Sequence, residues 1–146
     1  MEITEIDLEV EDIEWYGMDE TGRIARFTSG GSKRVPEFIR ESREKLDTLC
    51  EFFENLNPNL EEEVTFSEET PSLPRNEYWQ ECKKIAQKGL YRFDISDEQD
   101  PKGDYRLICK PSSELRISDL PETIQSILLN YLIPNSNFSN NKMIFI

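Results

Sequence analysis

Residues 13–18 (IEWYGM) and 23–28 (RIARFT) follow the apolar–polar alternation of half-buried strands. Between them, Asp19-Glu20-Thr21-Gly22 suits a type I turn closed by a left-handed glycine, so the stretch predicts a β-hairpin. Ile3, Ile6, Leu8 and Val10 continue the alternation and predict an acidic edge strand, where charge discourages stray pairing. The period changes at Pro36. From there to residue 56, Ile39, Leu46, Leu49, Cys50, Phe53 and Leu56 share one stripe and predict a helix, ended by Asn57-Pro58-Asn59. Residues 60–73 carry the weakest pattern and read as an exposed loop with a short strand at 64–66. A second helix is expected over 76–87 on Tyr78, Trp79, Cys82, Ile85 and Ala86, with Gly89 closing it. Strands follow over 90–95 and 105–110, joined by the turn formers SDEQDPKGD. A short strand at 115–117 leads to a third helix, capped by Ser118 or Asp119, with Pro121 and Glu122 in its first turn. Its stripe is Ile124, Ile127, Leu128, Tyr131 and Leu132, and 143–146 form a last strand or docked tail.

Hairpins outnumber βαβ alternations in this order. The expected fold is α+β: a single domain over 1–146, with a mainly antiparallel sheet packed with about three helices. Hydrophobic residues at 36% and aromatic residues at 10% suffice for one ordinary core. The acidic N-terminal stretch lacks the basic and apolar regions of a secretory signal, and the run 124–133 is broken by Gln125, Ser126 and Asn130. A cytoplasmic location without membrane association is therefore expected. Cys50, Cys82 and Cys109 are odd in number and form no CxxC, which fits buried thiols in a reducing compartment.

Charge sharpens the reading. The formal net charge is −13, distributed as −9 over 1–20, +4 over 21–45, −9 over 46–81 and +1 over 82–146. Such a field repels nucleic acid and attracts a basic protein. The chain has no histidine, which removes the commonest general base and any Cys/His zinc site. No enzyme activity, metal or cofactor is expected. Gly30, Gly31, Ser32, Lys33 and Arg34 follow a strand and precede a helix, as phosphate loops do, but the first glycine of the Walker spacing is missing. They remain a candidate anion site at the helix start. Asp94, Asp97, Glu98, Asp100 and Asp104 miss the EF-hand spacing and read as an acidic hairpin tip.

The stretch WYGMDETGRIARFTSGG followed by VP resembles a hairpin that opens a family of small, mostly uncharacterised bacterial α+β proteins: W-aromatic, D-x-x-G-x-I-A-x-F, a serine–glycine run, then proline. LRISDLPETIQSILLNYLIPNSNF is similar to a C-terminal segment of the same kind of protein. The resemblance implies a fold and no catalytic residues. In size and acidity the chain is similar, by class analogy, to immunity proteins that neutralise bacterial toxins. The expected function is a non-enzymatic protein-interaction domain, an immunity-type inhibitor of a basic toxin. Its partner surface would be Glu61, Glu62, Glu63, Glu68 and Glu69. The alternative is a small-ligand or anion-binding domain using the 29–34 loop.

Overall fold

The hairpin forms where the alternation places it. In the computed structural model, which describes residues 1–67, 77–97 and 100–146, β1 (Glu14–Met18) pairs antiparallel with β2 (Ile24–Thr28). Gly22 closes the turn at φ +88°, a conformation that L side chains rarely adopt. Asp19, fully buried, holds the turn: its carboxylate accepts from Thr21 N and Arg23 N at 2.9 Å each and from Thr21 Oγ1 at 2.8 Å. Its other oxygen reaches across the molecule to the Phe138 amide at 2.9 Å.

Among the described residues six strands make one sheet in the order β1-β2-β4-β5-β3, with β4 (Tyr91–Ile95), β5 (Tyr105–Lys110) and β3 (Thr65–Phe66). β6 (Met143–Ile144) joins the same edge of β5 as β3, pairing with Tyr105 and Arg106 where β3 pairs with Cys109 and Lys110. The sheet is mixed, which corrects the antiparallel expectation in part. β2 and β4 run parallel, and the chain makes the crossover this requires through the helices between them.

Register sorts the side chains into two unlike faces. Trp15, Phe27, Phe93 and Leu107 lie opposite one another on one face. Tyr16, Arg26, Arg92 and Cys109 share the other. The first face is the aromatic centre of the core. Trp15 stacks on Phe27 at 4.0 Å, and the Trp15 indole donates to Tyr105 Oη at 3.1 Å. On the second face α3 (Arg43–Glu54) packs against β1, with Phe53 stacked on Tyr16 at 4.6 Å, and α4 (Glu77–Gln87) lies over β4 and β5.

Three expected elements differ. Residues before the hairpin form a helix, α1 (Glu5–Val10), not an edge strand. Thr4 and Asp7 make a reciprocal capping box, and only Leu8 of the alternating residues in the helix is buried; Ile6 and Val10 are 70% and 73% exposed. The long first helix breaks into α2 (Glu37–Arg40) and α3, because the Ser42 side chain accepts from Lys45 N and caps a new start. The 115–117 segment makes one bridge, Arg116 with Arg23, and then a 3-10 turn, Ile117–Asp119. α5 (Glu122–Leu128) starts from Pro121 as its cap residue. The described residues thus hold five α-helices rather than about three. Among them none is long and apolar enough to cross a membrane.

Glu114 ties this bridge to the sheet. It accepts from Arg23 Nε and Tyr91 Oη at 2.5 Å each and from Arg116 Nη2 at 2.8 Å. Burial works to raise its pKa, but the bonds from Tyr91 and Arg23 and the charges of Arg23 and Arg116 outweigh burial and hold it below the ordinary 4.5. A depressed folded value means the contribution to stability is complete above the ordinary value and fades as pH falls through the folded one. Glu114→Gln is therefore expected to flatten the acid side of the stability–pH curve, read by urea denaturation from neutral pH downward. An unchanged acid limb would contradict the ion-pair role.

Candidate functional site

The acidic segment after α3 is fixed in place by polar contacts. Asn59 N donates to Gln87 O at 2.9 Å, while Asn59 accepts from Glu61 N at its side chain (3.2 Å) and from Glu62 N at its carbonyl (3.1 Å). The Gln87 amide, 5% exposed at the end of α4, donates to Leu60 O at 3.2 Å and Glu62 O at 3.1 Å. Residues 59–62 are thereby strapped to α4 by backbone contacts, which leaves the Glu61, Glu62 and Glu63 side chains to line the space beside it. The chain then enters β3, and Ser67 N continues the pairing to Ile108 O at 2.9 Å.

Between this strap and α4 lies a groove of about 420 Å³, within the ~300–1,000 Å³ usual for ligand pockets. Its lining is Leu60, Glu61, Glu62, Glu63, Val64 and Phe66 from the strap and β3, with Trp79, Gln80 and Lys83 from α4. Phe66 and Trp79, both half-buried, meet at 4.2 Å between ring centroids with planes tilted by 52°. Trp79 and Lys83 share a helix face, one turn apart. Phe66 also packs on the small cluster of Cys82, Ala86, Ile108 and Cys109 that seats α4 on the sheet.

A polar layer beneath α4 holds the helix at its other end. Tyr78 Oη donates to Asp94 Oδ2 at 2.7 Å, and Asp94 Oδ1 accepts from Thr28 Oγ1 at 2.9 Å. Arg92, only 2% exposed, donates through Nη1 to Thr28 Oγ1 at 2.9 Å and to Phe93 O. Arg26 pairs with Glu14 at 2.5 Å and reaches Glu81 of α4 at 3.7 Å. Burial, and then the bond to Asp94, raise the Tyr78 pKa, so the phenol stays a donor. Of these residues only Asp94 enters a candidate site in the sequence, the calcium spacing that fails. The available signal was the alternation of aromatic with charged residues in IARFT and YRFDI, which marks a sheet face charged beneath its cover.

The predicted partner residues Glu61, Glu62 and Glu63 thus come together in the lining of one groove. Glu68 and Glu69 lie outside the described residues, as does Glu98 of the hairpin tip. Several donors of the 29–34 loop are engaged by the chain itself. Gly30 N donates to Asp12 Oδ1 at 2.8 Å, and Ser32 N to Ser29 O at 3.0 Å. Lys33 Nζ pairs with Glu9 at 3.2 Å and Glu5 at 3.8 Å. The Arg34 guanidinium is turned inward onto Ser96 O (2.7 Å), Ser96 Oγ (3.2 Å) and Asp104 O (3.3 Å). The helix that follows, α2, has a single turn.

Burial pushes the Cys50 and Cys109 thiols up to about 12 and raises Cys82 as well, which keeps all three protonated at neutral pH. None of them lines the groove. Among the described residues no group of three or more cysteine and carboxylate side chains is arranged to hold a metal ion. Fold and groove define a mixed-sheet α+β protein with an acidic, aromatic-walled groove at the open end of its sheet. Comparison with protein-family models, curated proteins and solved structures finds no match.

Proposed function

We infer that the chain is a non-enzymatic protein-interaction domain that engages a basic partner protein through the acidic wall of this groove. Its service is that of an immunity-type inhibitor of a basic bacterial toxin, met in the cytoplasm. The observation that carries the reading is the strap: Glu61 and Glu62 stand on backbone fixed by Gln87 and Asn59, Glu63 follows directly, and all three line a groove with half-buried aromatic rings. A fixed backbone lowers the ordering cost of binding, and complementary charge raises the association rate. The net charge of −13 adds a long-range field of the same sign.

The test begins with a pull-down from host lysate at low and high salt. A single basic protein retained at low salt and weakened at high salt is expected. Against that protein, the triple variant Glu61→Gln, Glu62→Gln, Glu63→Gln should slow association by roughly tenfold at low salt, with less effect at high salt. An association rate unchanged by the triple variant would remove this surface from the function.

A further inference from the structure

The chemistry of the groove selects the side chain it receives. Several surface acids are neutralised by the chain's own bases: Glu5 and Glu9 by Lys33, Asp7 and Glu11 by Arg43, Glu14 and Glu81 by Arg26. Glu61, Glu62 and Glu63 have no such ion pair among the described residues. Other exposed acids are also unpaired, but these three line the same cavity as a tryptophan and a phenylalanine whose rings touch. Carboxylates beside aromatic faces form a pocket for an organic cation: the rings attract the positive charge and cover its apolar stem, and the carboxylates take its donors. An anion would meet three negative charges, and a purely apolar group would leave them against it without water.

Resting on the reading of this groove as a partner site, we propose that it receives an arginine side chain of the partner protein. The guanidinium lies against the Trp79 ring and donates to the carboxylates on the strap. Arginine fits better than lysine for two reasons. Its flat guanidinium stacks on an indole, and its forked N–H groups bond a carboxylate in pairs. Lys83, the one base among the described lining residues, stands a turn along from Trp79 and directs the incoming cation toward the strap.

The experiment uses the full chain and three capped peptides of one design, Gly-Arg-Gly-Arg-Gly, with lysine or uncharged citrulline replacing arginine in the second and third. The chain has two tryptophans, so its indole N–H signals in NMR are two, and Trp79→Leu assigns them. The expected result is a shift of the Trp79 signal with the arginine peptide, several-fold weaker binding of the lysine peptide and no binding of the citrulline peptide. Trp79→Leu, which keeps a good helix former at the site, should weaken the arginine peptide by roughly tenfold. Its melting curve reports whether the fold is kept, and Phe66→Leu gives a second probe of the same wall. No shift of Trp79 at millimolar arginine peptide overturns the proposal. So does equal binding of the arginine and lysine peptides that neither aromatic substitution changes. If the triple glutamine variant weakens that binding while the aromatic variants do not, the acidic surface stands and only the arginine pocket fails. If the triple variant also changes nothing, the proposed function fails with it.

Discussion

Phe27→Ala is expected to lower the stability of the chain by about 4 kcal/mol, the middle of the range for deleting a buried aromatic ring. Phe27 has no exposed surface and sits at the hub of the aromatic face. It stacks on Trp15 at 4.0 Å with planes 12° apart and on Phe93 at 5.3 Å, and meets Tyr105 edge-on at 5.3 Å and Phe138 at 6.0 Å. Alanine leaves a cavity walled by rings that cannot collapse, because strand register fixes Trp15 and Phe93 on either side. Phe27→Leu keeps most of the volume but loses the ring contacts, and about 1–2 kcal/mol is expected. Phe145→Ala is the control: at 63% exposed it should stay within about 0.5 kcal/mol of the parent. The measurement is urea denaturation, supported by a fall in melting temperature of roughly 10 °C for Phe27→Ala. A loss below about 2 kcal/mol would show that the face repacks, contrary to the fixed register.

The second large effect is expected at Asp19. Asp19→Ala should cost about 3 kcal/mol, because it strands buried donors instead of removing apolar surface. Thr21 N, Arg23 N and Phe138 N all give their protons to this one carboxylate. Asp19→Asn is a sharper test than its similar shape suggests. One amide oxygen can serve the turn or Phe138 but not both, since the amide nitrogen would then face an N–H donor. A loss of about 2 kcal/mol is expected. The Phe138 contact also predicts which part of the molecule responds. Hydrogen exchange should quicken around Phe138 as well as in the turn, although 119 residues separate the two ends of that bond. Faster exchange confined to residues 19–23 would mean that the long-range bond contributes little.

Asp19 and Gly22 also explain the D-x-x-G spacing that drew attention in the sequence. The aspartate closes the turn by local hydrogen bonds, and the glycine takes a φ of +88°. Both roles lie within five residues, so both were legible. β5 was expected over 105–110 and is found there, and α4 ends at Gln87 with Gly89 at φ +92°. The alternation ahead of the hairpin misled because two periods agree over a short stretch. Ile6 and Val10 are one helical turn apart as well as two strand steps apart, and the capping box from Thr4 to Asp7 decided for the helix.

The candidate site was half legible. Three adjacent glutamates in a polar segment were visible, and so was Trp79 on a helical stripe. The groove they form was not. Nothing local in the sequence says that Gln87 turns its amide onto Leu60 O and Glu62 O, or that Phe66 meets a ring thirteen residues along the chain.

By itself, then, the sequence determined the hairpin and its turn, the spans of α4 and β5, and the sign of the field around the molecule. Those follow from periodicity, backbone preference and charge, each a property of neighbours or of the whole composition. Tertiary structure alone decided that β2 and β4 run parallel, that Arg92 lies buried beneath α4, and that the acidic strap shares a groove with Phe66 and Trp79. These depend on which distant surfaces pack together. That choice is made by the burial of the Phe27 face and the pairing of buried polar groups across the sheet, neither of which any short stretch of the chain contains.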